Sequence, residues 1–350
     1  MMIPARKPNT VESSTAATRS AADLLAAARA TVLPVLRPFI DRLPEPLCHL
    51  AGYHLGWWDA HGGPEQGAAG KMLRPALVLA AAAACGDCTH AAAPAAAVEL
   101  IHNFTLLHDD VVDGDRLRRG RETVWSRWGI PAAIMLGDAM HAAAVAQLIS
   151  RLPAHLSTAA ANRLEDAVID ISLGQHRDCE FERRTRVDLT EYTDMAAAKT
   201  GSLFGASCAL GALVAHADPE TVAAMEEFGR ELGVACQLTD DILGIWGDPA
   251  ITGKPVGSDL ARRKKTMPVL AALASETPEG EEFSALYRSE RAFTAADIAR
   301  ATHLVEATDA RSTVRRKADE RLAAALAVLP DGTVPADLLT LVDAIVHRDR

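Results

Sequence analysis

The sequence is poor in aromatic residues, in long apolar runs and in positive charge, and each shortage excludes something. Only 4% of its 350 residues are Phe, Trp or Tyr, and the apolar content is carried mostly by Ala, Leu and Val, a composition that favours helices over sheets. The longest apolar run, Ala76 to Cys85, has ten residues, well short of the roughly 20 that cross a bilayer, and no apolar signal core stands near the start. A soluble, cytoplasmic protein without a membrane span is expected. Lys and Arg number 36 against 46 Asp and Glu, a formal charge of -10. No continuous basic face is then available for nucleic acid, and any anionic ligand must be met by a local cluster of positive charge. Six cysteines, at 48, 85, 88, 179, 208 and 236, are too sparse for a disulfide framework in a chain that buries an ample core. The lone Cys85–Cys88 pair ends an Ala-rich helix and reads as packing, since no second pair stands beside it for zinc.

What is present is a core-building, globular composition, 49% hydrophobic and 23% charged. Residues 1–20 mix Pro, Ser, Thr and Lys without apolar periodicity and read as a flexible tail. Residues 21–350 read as a single all-α domain. Apolar spacing predicts helices near 21–43, where LPEP stops the first, then 71–85, 90–113, 131–151, 158–182, 190–214, 219–246, 260–275, 294–328 and 334–348. Strand-type alternation is nearly absent. About ten long helices around a central active-site cavity are expected.

Two acidic clusters carry the chemistry. In LLHDDVVDGDRLRRG, Asp109 and Asp113 lie one turn apart on a helix, with Asp110 about 100° away. Three carboxylates at a helix carboxyl end repel one another and oppose the dipole, so a cation should sit there. Carboxylate oxygens suit hard ions, and Mg2+ takes one or two carboxylates and fills its shell with waters and substrate phosphates. Arg118, Arg119 and Arg121 follow, suited to bidentate phosphate binding. The layout recurs in QLTDDILGIWGDPAITGKPVGSDLARRKK, where Asp240 and Asp241 close a helix ahead of Lys254, Lys264 and Lys265. Two helices that end in paired Asp before basic residues suggest carboxylates facing each other across a metal-bound diphosphate.

These residues resemble the trans-type polyprenyl diphosphate synthase family, over about residues 30–348. GKMLRP at 70–75, DDVVD at 109–113 with RRG at 118–120, GQHRD at 174–178 and KTG at 199–201 stand in its order and spacing, as do Gln237, Asp240, Asp241, GKPVGSDL and Lys264. The resemblance implies the isoprenoid synthase fold, a homodimer, and a head-to-tail condensation: an allylic diphosphate ionises with its diphosphate held by three Mg2+, isopentenyl diphosphate attacks the cation, and a proton is lost. It implies Asp109, Asp113 and Asp240 as metal ligands, with Asp110 and Asp241 in support. Arg118, Lys199, Lys254 and Lys264 would grip the allylic diphosphate. Gly70, Lys71, Arg74, His102 and Arg119 would bind isopentenyl diphosphate, and Thr200 and Gln237 would turn oxygen dipoles to the cation. His108 has no such support and reads as structural. Physical chemistry agrees with this layout, because heterolysis of a C–O bond needs fixed charge at the leaving group in a dry site.

Phe104 lies five residues before Asp109, about 7.5 Å back along the helix, with Thr105 beside it. A bulky residue there implies, within the family, a short product, geranylgeranyl or farnesyl diphosphate. Two positions depart from the family pattern. Gly244 stands where many relatives carry a third Asp, and Arg263 replaces a usual Gly before Lys264, adding a positive charge near the site. AIVHRDR matches the basic carboxyl terminus only loosely and gives Arg348 no role. The tail and AGYHLGWWDAHGG resemble a bacterial subgroup of the family carried as cargo in encapsulin shells, which makes a shell protein a candidate partner of the tail.

Three other readings compete. A class I terpene cyclase shares the Asp-bound Mg2+ but would carry an Asn/Ser/Glu second motif and lack Lys71, Arg74 and Arg119. An HD-type phosphohydrolase would need more metal-spaced histidines than the His108–Asp109 pair. A non-catalytic or partner-dependent subunit is suggested by Gly244 alone.

Overall fold

The computed structural model describes residues 19–65, 70–248, 256–289, 291–329 and 335–346. The first eighteen residues of the expected tail, Lys254 and Arg348 lie outside them. The chain begins its first helix, α1 (Ala21–Ile40), at a capping box in which the Ser20 hydroxyl accepts from Asp23 N and the Asp23 carboxylate accepts from Ser20 N. Leu24, Ala28, Val32, Leu36 and Ile40, spaced by four, bury one face of it.

In chain order there follow α2 (Leu47–His54), α3 (Leu73–Ala84), α4 (Ala92–Val112), a hairpin of β1 (Leu117–Arg118) and β2 (Arg121–Glu122), α5 (Val124–Trp128), α6 (Ile130–Arg151) and α7 (Ala154–Arg183). Then come α8 (Leu189–Ala196), a π-helical turn (Ala197–Gly201), α9 (Ser202–Val214) and α10 (Pro219–Trp246). The carboxyl-terminal part holds α11 (Ser258–Ala261), α12 (Met267–Leu273), α13 (Pro278–Tyr287), α14 (Ala295–Ala307), α15 (Ala310–Ala327) and α16 (Ala336–Val346). Helix α10 packs against α9 and α15, α9 against α3, and α4 against α6. One large apolar core, with Leu77, Leu100, Leu136, Phe204 and Phe228 fully buried, joins these layers.

The expected all-α class is observed, with corrections at the boundaries. The stretch 294–328 is two helices, because Asp309 adopts φ 56 and turns the chain between α14 and α15. The stretch 260–275 is likewise split. Helices α2, α5 and α13 are too short for apolar periodicity to reveal. Residues read as a basic loop form the β1–β2 hairpin, in which Arg118 pairs with Arg121 and the turn residues Arg119 and Gly120 have φ 53 and 77. Two consecutive positive φ values make the tight turn that suits a two-residue hairpin. By length and composition alone, α6 and the α8–α9 stretch are each long and apolar enough to cross a membrane. The second is largely buried, as a core helix is, whereas α6 turns an apolar stripe outward.

Candidate active site

The Asp109 and Asp113 side chains share a face at the carboxyl end of α4, as their spacing predicts, but Asp110 does not share their surroundings. Its carboxylate is buried, and Oδ1 accepts from Arg118 Nε at 2.6 Å. Burial pushes the Asp110 carboxyl up to about 6, against the pull of Arg118. Asp109 is also raised by burial, with Lys199 opposing and Asp113 reinforcing the rise. Burial would raise Asp113 too, but Lys264, bonded to it at 2.9 Å, and Lys199 hold it below the ordinary range. Two neighbouring carboxylates thus meet positive charge from two lysines carried by other elements.

The π-helical turn presents one of those lysines. Insertions of this kind inside α-helices are rare and favour functional sites. A Cβ on Gly174 of α7 would lie 2.3 Å from the Lys199 backbone nitrogen, so only glycine lets α7 approach this closely. One turn further along α7, Asp178 accepts from Lys199 Nζ at 2.5 Å. Burial alone would lower the Lys199 ammonium, but Asp178, Asp109 and Asp113 outweigh it and raise the group, so it stays charged. Asp178 belongs to the GQHRD stretch yet had no assigned part. Its signal was there, one helical turn after a glycine that permits close contact.

At the end of α10 the two aspartates differ. Asp240 lies within reach of Cys236 Sγ at 4.0 Å. Asp241 is buried and held by three protein donors: Oδ2 accepts from Tyr192 OH at 2.6 Å and from Met267 N at 3.0 Å, and Oδ1 accepts from Gln237 Nε2 at 2.9 Å. Burial pushes its carboxyl up to about 7 despite these donors. Gln237 Oε1 in turn accepts from the Thr200 hydroxyl at 2.8 Å. Asp241 therefore ties α10 to α8 and α12, a contact no local sequence pattern announces.

Gly244, one turn after Asp240, is explained by the third dimension. A Cβ there would lie 2.0 Å from Asp259 Oδ2. The Asp259 carboxylate, from the GKPVGSDL stretch, occupies the space next to the motif that a side chain at 244 would need. Arg263 departs from expectation. It does not add charge to the site, because its guanidinium donates to the carbonyls of Tyr287 (3.0 Å), Ser289 and Arg291 and stacks 4.4 Å over Phe293. Its φ of 54 lies in the left-handed region that favours glycine. Lys265 likewise spends its ammonium on the Phe181 and Arg184 carbonyls.

A second basic group lies beside α4. A Cβ on Gly70 would stand 3.0 Å from Arg119 Nη2 and 3.3 Å from Glu99 Oε1, and Arg29 Nη2 donates to the Gly70 carbonyl at 2.6 Å. Arg74 Nη1 approaches His102 Nε2 at 3.4 Å and stacks 4.8 Å from the Phe204 ring centre. Burial, and then the positive charge of Arg74 and Arg119, hold His102 well below its usual value, so the imidazole is neutral. The structure brings Gly70, Arg74, His102 and Arg119 together, while the Lys71 side chain is exposed beside them. Beneath lie residues the sequence reading missed. Buried Asn103 donates to Glu99 Oε1 at 3.1 Å and pairs with His54 Nε2 at 3.1 Å. Glu99 in an apolar run was the available signal.

Phe104 stacks on His141 with ring centres 5.3 Å apart and meets the edge of His108 at 4.7 Å. His141 Nε2 is bonded to Glu165 at 2.8 Å, and His108 Nε2 pairs with the Ile134 carbonyl at 3.2 Å, the structural place expected for it. Thr105 shares the face of Asp109, while its hydroxyl donates to the His102 carbonyl.

The donor set suits a hard divalent cation. Asp109, Asp113 and Asp240 offer oxygen ligands only, and buried Asp109 gains from a neighbouring positive charge. Among the described residues no three His, Cys, Asp or Glu side chains converge to cage one ion. Mg2+ does not require such a cage, since it takes one or two carboxylates and completes its shell with phosphate oxygens and waters.

Comparison with known proteins agrees with the geometry. The family model described as polyprenyl synthetase matches residues 65–305. A geranylgeranyl diphosphate synthase of Mycobacterium tuberculosis is 52% identical over 327 residues, covering 93% of each chain. A (2E,6E)-farnesyl diphosphate synthase of the same species is 44% identical, over 77% of this chain and 75% of its own. Among solved structures, a polyprenyl synthetase from Streptomyces coelicolor superimposes with a TM-score of 0.87 at 37% identity, covering 92% of this chain and 98% of that one.

Proposed function

We propose that this chain, which belongs to the polyprenyl synthetase family, joins isopentenyl diphosphate to dimethylallyl, geranyl or farnesyl diphosphate and releases geranylgeranyl or farnesyl diphosphate. It is a short-chain prenyl diphosphate synthase, and so a prenyltransferase. The observation that carries the site reading is the meeting of Asp109, Asp113, Lys199 and Lys264 from three separate segments. Bound at Asp109, Asp113 and Asp240, three Mg2+ would supply charge stabilisation to the departing diphosphate. Lys199, Lys264 and Arg118 are fixed cations for the same group, with Lys254 assigned there from sequence. Because Lys199 and Lys264 are already charged and oriented by Asp178 and Asp113, little reorganisation accompanies diphosphate binding. Gly70, Lys71, Arg74, His102 and Arg119 form the second diphosphate site, for isopentenyl diphosphate. Neutral His102 there donates or accepts one hydrogen bond without adding charge.

Product length belongs to the Phe104–Thr105 segment. The stack on His141 fixes the Phe104 ring in one orientation, which favours a short chain. The 52% identical relative favours the C20 product over the C15 one. Assembly as a cytoplasmic homodimer through α6 and α7 is part of the same reading. It is supported by the exposed side chains of Met135, Ile149, Ile169 and Leu173 on the outer faces of those helices. Loading into an encapsulin shell by residues 1–20 is a further element, tested by co-purification with a shell protein before and after their deletion.

The test of function is product analysis. Purified protein with Mg2+ and labelled isopentenyl diphosphate is offered each allylic primer in turn, and chain length is determined. A discrete C15 or C20 product that vanishes on chelation and in Asp109→Ala is expected. No elongation from any primer would overturn the reading.

A further inference from the structure

The Tyr192–Asp241–Gln237–Thr200 chain has a polarity that its chemistry fixes. Asp241 faces three donors, Tyr192 OH, Met267 N and Gln237 Nε2, at 2.6, 3.0 and 2.9 Å. With three donors turned to its two oxygens, Asp241 in its ionised form acts as an acceptor only. Gln237 must therefore present its amino group to Asp241, and its carbonyl oxygen is left to face Thr200 at 2.8 Å. A hydroxyl opposite a carbonyl has a single choice, which is to donate. The Thr200 proton is thus committed to Gln237, and the lone pairs of Thr200 Oγ1 point elsewhere.

The π-helical turn sets Thr200 next to Lys199, whose ammonium lies among Asp178, Asp109 and Asp113. We infer that Asp241 is a positioning residue rather than a metal ligand: through the Gln237 amide it fixes the direction of the Thr200 hydroxyl, so that an oxygen lone pair and not a proton faces the allylic cation. This rests on the proposed reaction, in which Thr200 borders that cation. Tyr192, on α8, holds the far end of the same relay. A hydroxyl free to rotate would present its hydrogen to a cation part of the time, and a preoriented one avoids that reorganisation during ionisation.

Asp241→Asn separates orientation from shape. The retained carbonyl oxygen still accepts from Tyr192 and Met267, but the new amino group faces Gln237, and two donors repel. Gln237 then flips, its amino group meets Thr200, and the hydroxyl hydrogen turns toward the cation. The experiment is a double-mutant cycle on the full-length enzyme with Mg2+ and both substrates, using Thr200→Val, Asp241→Asn and the pair, with kcat, KM and melting temperature measured for each. Thr200→Val and Asp241→Asn are each expected to lower kcat by about tenfold or more, with KM changed less than about threefold, and the pair to fall no further than Thr200→Val alone. Additive losses, or an Asp241→Asn enzyme with undiminished kcat, would overturn the relay while leaving the synthase reading intact. An unchanged kcat in Thr200→Val would overturn both the relay and the place of Thr200 at the cation. Should Asp241→Asn not fold, Gln237→Leu breaks the relay one link later, and its cycle with Thr200→Val decides by the same criterion.

Discussion

At the scale of single residues, spacing singles out the paired carboxylates, but only contacts tell them apart. Asp109 and Asp113 face the lysines, Asp110 is committed to Arg118, and Asp241 to Tyr192, Gln237 and Met267. The four therefore respond differently to substitution. Asp109→Ala should lower kcat by at least about a hundredfold, the scale on which a preorganised charge-stabilising group acts, and steady-state kinetics with saturating Mg2+ would check it. Gly244 carries the opposite prediction. Gly244→Asp puts a side chain into the Asp259 carboxylate, so melting temperature and kcat should both fall. A variant more active than the parent would show that Asp259 moves aside. Phe104→Ala removes the ring that stacks on His141 and should lengthen the product, and an unchanged chain-length distribution would rule out the stack as the limit.

Among the elements, the β1–β2 hairpin shows how a short segment is held in place. Its turn carries Arg119 at φ 53, a conformation that costs a non-glycine residue on the order of 1 kcal/mol. The surroundings offset this. Arg121 donates to the Tyr53 carbonyl at 3.1 Å and the Trp58 carbonyl at 2.9 Å, and lies 4.2 Å over the Tyr53 ring, while Tyr53 OH donates to the Glu122 carbonyl at 2.9 Å. The Trp-bearing stretch after α2 is thus a buttress for the hairpin that carries Arg118 and Arg119. Arg121→Ala should loosen that hairpin and raise KM for isopentenyl diphosphate more than it lowers kcat; an unchanged KM would mean the buttress is dispensable. Long helices such as α4, α7 and α10 were legible in the sequence, because amphipathic spacing and caps such as Asp218 before Pro219 are local signals. The hairpin was not, since a strand of two residues has no periodicity and its stability comes from partners more than fifty residues away.

For the whole molecule, the feature that stands out on the surface is the outward apolar stripe of α6 and α7. Met135, Ile149, Ile169 and Leu173 are between 45% and 65% exposed, an apolar surface that supports the homodimer proposed above. Sedimentation velocity tests the proposed dimer: the parent should sediment as a dimer and Ile169→Asp with Leu173→Asp as a monomer, while a double variant that stays dimeric would place the interface elsewhere. The sequence by itself determined the helical class and the two acidic helix ends, because periodicity, capping and charge repulsion act within a turn or two of chain. Only the tertiary structure decided that Lys199 meets Asp178, that Asp259 fills the space beside Gly244, that Arg263 turns away, and that Asp241 meets Tyr192, Gln237 and Met267. Each of those depends on backbones brought together by the packing of a shared core, and no interaction local to the chain encodes them.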